Sequence, residues 1–181
     1  VFCEHTYWQK EQLLNILINT HKHNYEYIGW VDGDVEVKTP NWVHNLKTAT
    51  EEHGVAQICR HIEKEKNFKK DTDTTMSMTH YMNQTDSYND ILYNRTGEPG
   101  YGFLYKSELF LGNETPLYEN AICGSGDFLN LIGYIDHPNI EDYLKHDRFF
   151  IKLNKLKTNF LNWKHSKRNV DKIPCAENTL R

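Results

Sequence analysis

The chain lacks an excess of positive charge. Lys and Arg number 21 against 25 Asp and Glu, for a formal net charge of -4 and a pI of about 6.2. A surface built to hold nucleic acid needs a basic patch or stripe, so nucleic acid is excluded as the main partner. No apolar run approaches the roughly 20 residues that span a bilayer. The mean hydropathy is -0.75, so no membrane span is expected and the chain reads as soluble. Cysteine is sparse: Cys3, Cys59, Cys123 and Cys175 stand singly, with no C-x-x-C. That spacing offers no dense disulfide framework. It predicts thiols in a reducing compartment, with one disulfide allowed and the cytoplasm as the default location. There is no Gly-rich phosphate loop of the nucleotidyltransferase or P-loop kind and no internal repeat. N-x-S/T occurs at Asn83, Asn94 and Asn113, but about two matches are expected by chance in so Asn-rich a chain. VFCEHTYW carries no signal peptide and reads as the middle of a sequence.

The apolar pattern that is present alternates helix with strand. KEQLLNILINTHK puts Leu13, Leu14, Leu17 and Ile18 on one helical face. The short continuous run Tyr25 to Val31 predicts a strand buried on both faces. TPNWVHNLKTATEEHG predicts a second helix, capped by Thr39, with Pro40 in its first turn and Gly54 at its end. VAQIC, Val55 to Cys59, predicts the next strand. This order favours an α/β layered fold in one domain. From about 60 to 94 the composition turns polar without a period, predicting a long functional or mobile loop. GYGFLYKSELF then reads as a turn, a strand through Leu104 and a helix from Ser107. GSGDFLNLIGYI reads as a Gly-rich turn opening a helix, and IEDYLKHDRFFIKLNKL as a further helix. KTNFLNWKHSKRNVDKIP reads as a strand followed by a basic loop.

Four places carry candidate chemistry. YIGWVDGDVEV runs apolar and then places Asp32, Asp34 and Glu36 within five positions. Strand ends of open α/β sheets are where ligands bind, and carboxylate oxygens suit a hard divalent cation that bridges to diphosphate. Gly33 between the acids would allow close approach, although D-x-D by itself also recurs in plain solvated turns. Asp127 follows Gly124 and Gly126 at a helix start, where it can be an ordinary N-cap or a general base. His165 in NWKHSKRN can complete a metal site, with Lys164, Lys167 and Arg168 beside it to face phosphate, or be a surface residue in a basic loop. Lys10 in YWQKEQLLN is a solvated helix residue or a partner for diphosphate.

The order of these segments resembles the metal-dependent glycosyltransferases of the GT-A fold. It is most similar to the beta-1,4-galactosyltransferase group and its bacterial and viral relatives, from Tyr7 to Pro174. YWQKEQLLN, DGD, GYGFLYKSELF, GSGD and KHSKRN stand where that group has an aromatic and basic helix, a D-V-D strand end, a Gly-rich segment, a G-G-E-D or G-G-G-D turn and an R-H-S-R type segment.

The resemblance implies a Rossmann-like mixed sheet flanked by helices, with manganese or another divalent cation as cofactor. In it Asp34 and His165 ligate the metal, with Asn162 at a third-ligand position, and Asp32 holds the ribose or a metal-bound water. Lys10 touches the diphosphate, and Asp127 is the catalytic base. Gly100 and Tyr101 lie near the sugars, and Gly126 stands at an acceptor-contacting position. Two departures affect the acceptor: Cys123 and Gly126 occupy positions where relatives that use N-acetylglucosamine carry Trp and Glu. The first nucleotide-binding strand, which precedes the D-x-D unit in this fold, has no counterpart here, so the resemblance implies either an N-terminally incomplete chain or a short member of the family. The implied activity is transfer of galactose or a related hexose from a UDP-sugar to a hydroxyl of a glycan or glycolipid acceptor, with inversion. The other reading is a catalytically inactive carbohydrate-binding or scaffold relative.

Overall fold

The computed structural model describes residues 9–65, 72–84, 94, 96–120, 126–135, 140, 142, 144, 154–166, 170 and 172–181. They form helix α1 (Lys10–His21), strand β1 (Tyr27–Val31), α2 (Trp42–His53), β2 (Val55–Gln57), β3 (His61–Glu65), β4 (Thr72–Met76) and α3 (Met78–Gln84). Strand β5 (Gly102–Lys106), a 3-10 turn (Ser107–Phe110), α4 (Gly126–Tyr134), α5 (Asn154–His165) and β6 (Thr179–Leu180) follow. The class is mixed α/β, with two small, mostly antiparallel sheets in the orders β1-β5-β2 and β4-β3-β6. The pairing of β3 with β6 is parallel. Backbone contacts divide the chain into two compact units, one of residues 1–28 and 107–169, the other of residues 29–106 and 170–181.

In the first unit, α1 does not bury the face its leucines suggest. Ile16 and Leu17 are about half exposed, while Glu11, Asn15 and Ile18 are buried. The reason is a run of polar side chains at helical spacing that grips the segment 113–119. Asn15 Nδ2 donates to the Leu117 carbonyl at 2.9 Å, and its Oδ1 accepts the Leu117 N–H at 2.7 Å. Asn19 donates to the Glu114 carbonyl and Lys22 to that of Asn113. The apolar core of this unit comes from α4 and α5. Gly133 lets Trp163 lie against α4, for a Cβ there would fall within the indole ring. Tyr118, Tyr134 and Phe160 surround the same indole, with ring centroids 5.5–6.1 Å away.

Residues 154–165 are helical, not the strand expected of KTNFLNW. Leu156, Phe160 and Trp163 recur at i, i+4 and i+7, and this period dominates the local β propensity of Thr158 and Phe160. The Gly-rich turn expected before α4 lies at 121–125, outside the described residues, as does most of the helix expected from Ile140.

In the second unit, β1 is not buried on both faces. It lies at the edge of its sheet, and Val31 is 38% exposed. Helix α2 begins later than expected, after Asn41 in the left-handed region, and Gly54 ends it in that same region at φ +80°. Thr39 does not cap the helix; its hydroxyl accepts the Thr179 N–H at 2.9 Å. The long loop expected from 60 to 94 is in its described part a hairpin, β3 with β4, followed by α3. The strands read HIEKE and TDTTM, polar but rich in Thr, which suits a half-exposed antiparallel pair. The core beneath gathers Leu46, Ala56, Ile58, Cys59, Ile62, Ala176 and Leu180.

Candidate functional site

The D-x-D segment leaves β1 on the second unit. The Asp32 N–H bonds the Tyr101 carbonyl at 2.9 Å, which fixes the start of the turn. Asp34 is exposed. A Cβ on Gly33 would meet nothing within 4 Å, so openness rather than close packing characterises this turn. Beyond the turn, Glu36 and Arg181 exchange backbone hydrogen bonds of 2.6 and 2.8 Å, and Val37 bridges Leu180.

These ladders frame an open cavity of about 760 Å³, lined by Asp34, Glu36, Glu63, Lys64, Tyr101 and Arg181 among others. Its charges are mixed. Lys38 beside Glu36 lowers that carboxyl, through a hydrogen bond first and its charge second. Lys64 is bound to Glu98, which raises the ammonium's hold on its proton. Burial, then the charge of Glu98, pushes the Tyr101 phenol up.

Tyr101 sits at φ +74°, a left-handed conformation that is uncommon for a bulky residue and is found where surrounding structure imposes it. Gln57 supplies much of that constraint. It is fully buried, and its amide donates to the carbonyls of Glu98 and Gly100, both at 2.9 Å. Its oxygen accepts the Thr79 hydroxyl at 2.7 Å. Gly102 follows with its Cα against the Trp30 carbonyl, an approach any Cβ would block. Of the sequence candidates, Asp34 and Tyr101 line the cavity, Asp32 is joined to Tyr101 through its backbone N–H, and Gly100 is held beside Tyr101 by Gln57. Glu63, Lys64 and Arg181 are the members that sequence reasoning missed. HIEKE is polar and without an apolar period, so the sequence carried no signal for Glu63 or Lys64.

The first unit holds the other candidates. Lys10 Nζ lies 3.1 Å from both carboxylate oxygens of Asp127, and both side chains are roughly a fifth to a quarter exposed. The structure therefore joins the residue expected at a diphosphate to the residue expected as the base. Asp127 is the second residue of α4, where the positive end of the helix dipole favours a carboxylate. At the other end of α4, Lys164 is buried and donates to the Ile135 carbonyl at 2.9 Å, with the Gly133 carbonyl at 3.5 Å. Lys164 was expected to face phosphate; it caps a helix instead. Asn162 and His165 are exposed residues three apart near the end of α5, not residues of a loop. They belong to the first unit and Asp34 to the second. Lys167 and Arg168 lie outside the described residues.

Among the described residues no three His, Cys, Asp or Glu side chains converge as a metal cluster. Cys59 and Cys175 are free thiols; burial, then the nearby Cys175, pushes Cys59 up to about 12. Cys3 and Cys123 lie outside the described residues. No described helix is long and apolar enough to cross a membrane. Comparison of the chain with protein-family models, with characterised proteins and with solved structures returns no match.

Proposed function

We propose that this chain is a metal-dependent inverting glycosyltransferase of GT-A type, transferring galactose or a related hexose from a UDP-sugar to a hydroxyl of a glycan or glycolipid acceptor. The observation that carries the reading is the place of Asp34: an exposed carboxylate at a strand exit, on the wall of a cavity of about 760 Å³ shared with Glu63 and Arg181. Carboxylate oxygens suit Mn2+ or Mg2+, and such ions are commonly held by one or two carboxylates together with substrate phosphates. Asp34 would hold the cation in that way, with Asp32 beside it. His165 and Asn162 are its further candidate ligands from the sequence resemblance. Bound there, the cation would supply charge stabilisation to the leaving diphosphate. Asp127 is the proposed base, and the Gly100–Tyr101 corner the proposed wall of the sugar site.

A manganese titration of UDP-galactose binding and UDP release tests this, using the intact chain, Asp34→Ala and Asp127→Asn. Metal-dependent release by the intact chain is expected, with binding lost in Asp34→Ala. Asp127→Asn should bind with a turnover about 10²–10⁴-fold lower. A second reading, a carbohydrate-binding or scaffold domain without turnover, is favoured by the bidentate engagement of Asp127 by Lys10. Metal-dependent binding with no turnover across UDP-sugars would establish it instead. Release of pyrophosphate from a nucleoside triphosphate would identify a nucleotidyltransferase and overturn both.

A further inference from the structure

Two consecutive residues of α1 meet two consecutive residues of α4. Lys10 holds Asp127 through both carboxylate oxygens. Glu11, 3% exposed, lays its carboxylate against Gly126, the first residue of the nine-residue α4. A Cβ on Gly126 would fall on Oε1 and Cδ of Glu11 and within 3.0 Å of Oε2. A side chain at position 126 would therefore require the buried Glu11 carboxylate to move. One turn further along each helix the arrangement is locked again. Asn15 bonds the Leu117 backbone in both directions and Glu119 Oε2 at 2.9 Å. Asn130 accepts the Tyr118 N–H at 2.6 Å and donates to the Gly126 carbonyl at 2.9 Å. A carboxylate this buried is costly unless compensated, and the first turn of a helix offers unpaired N–H groups and a positive dipole end.

We infer that Glu11 is a positioning residue for Asp127: its carboxylate fills the place of the absent side chain at 126, fixes the first turn of α4, and sets the charge beside the aspartate. Its bearing on catalysis rests on the reading of Asp127 as a base; the clamp itself does not. Lys10 of α1 pairs with Asp127 itself, and Glu11 of the same helix lies against the neighbouring Gly126. Lys10 and Glu11 thus bring opposite charges to the first turn of α4.

Two measurements on the whole chain test the inference, and neither needs turnover. In the first, Gly126→Ala should lower Tm by about 3–10 °C, and most of that loss should disappear when Glu11→Ala is also present. Additive losses would show that the two positions do not compete for one space and would overturn the clamp. In the second, the Asp127 carboxyl carbon is titrated by NMR in the intact chain and in Glu11→Gln, which keeps the shape and removes the charge. The midpoint should move to lower pH by about half a pH unit or more. An unchanged midpoint would make Glu11 a packing residue only and overturn the positioning role. If both measurements behave as expected and no UDP-sugar is turned over, the glycosyl-transfer reading falls and the Glu11–Asp127 coupling stands.

Discussion

Gln57 and His80 are both buried polar residues of the second unit, and they differ in what they bond. Gln57 uses its amide and its oxygen on Glu98, Gly100 and Thr79, so its desolvation is compensated. His80 donates its backbone N–H to the Ser77 hydroxyl, but its Nε2 is buried with no hydrogen-bond partner. Burial first, then the charges of Arg60 and His61, depresses its affinity for a proton; Glu177 acts weakly the other way. The folded chain therefore favours the neutral imidazole more than the unfolded chain, which protonates near 6.5, does. With the folded value below the unfolded one, the contribution is complete above about pH 6.5 and is lost as pH falls towards the folded value. The slope reaches at most about 1.4 kcal/mol per pH unit. Thermal unfolding followed from pH 7.5 to 5 should show a steeper decline for the intact chain than for His80→Gln. Parallel profiles would mean that the imidazole is not the group responsible.

At the scale of elements, α4 is complemented at both ends by charge of the appropriate sign. Glu11 and Asp127 sit at its N-terminus and Lys164 at its C-terminus. Lys164→Met keeps the stem that packs and removes the ammonium that bonds the last carbonyls. A cost of about 1–3 kcal/mol is expected, read as a lower urea midpoint at unchanged slope. An unaltered midpoint would mean that those carbonyls do not need the lysine. The helix itself was legible, because GDFLNLIGY is apolar on nearly every side and follows a glycine turn signal. Helix α1 was legible as an element but not in its docking, since nothing local says that Asn15 and Asn19 will meet backbone groups a hundred residues away. Lys164 was misplaced for the same reason, its partners being the carbonyls of another helix. The β3–β4 hairpin was missed because its strands carry charge and Thr instead of apolar alternation. The D-x-D segment was readable from its composition, whereas Glu63 and Arg181 reach its cavity only through the sheet β4-β3-β6, whose β3–β6 register spans more than a hundred residues.

At the scale of the whole molecule, each compact unit is assembled from two stretches of chain that are far apart in sequence. The second unit depends on its late stretch. Thr179 and Leu180 are the parallel partner of β3, and Gln57 exchanges backbone bonds with Pro174 and Ala176. Asn178, 1% exposed, donates to the carbonyls of Trp42 and Ile58 and accepts from Asn45, tying α2 to the end of β2. Ala176 and Leu180 complete the apolar cluster. Deleting residues 170–181 removes all of these at once. The amides of Gln57, Arg60 and His61, which bond Pro174 and Asn178, lose their acceptors, and Ile58 and Ile62 lose apolar cover. Hydrogen exchange should then find those amides unprotected, and the cavity beside Asp34 should lose two of the walls that Leu180 and Arg181 provide. Leu180→Ala is the milder form of the same test, with an expected cost of about 2–5 kcal/mol and the ladder retained. Full protection of Gln57 and His61 after the deletion would show that β2 and β3 hold their arrangement without β6. The Asp34 cavity would then have to be explained from residues 29–106 alone.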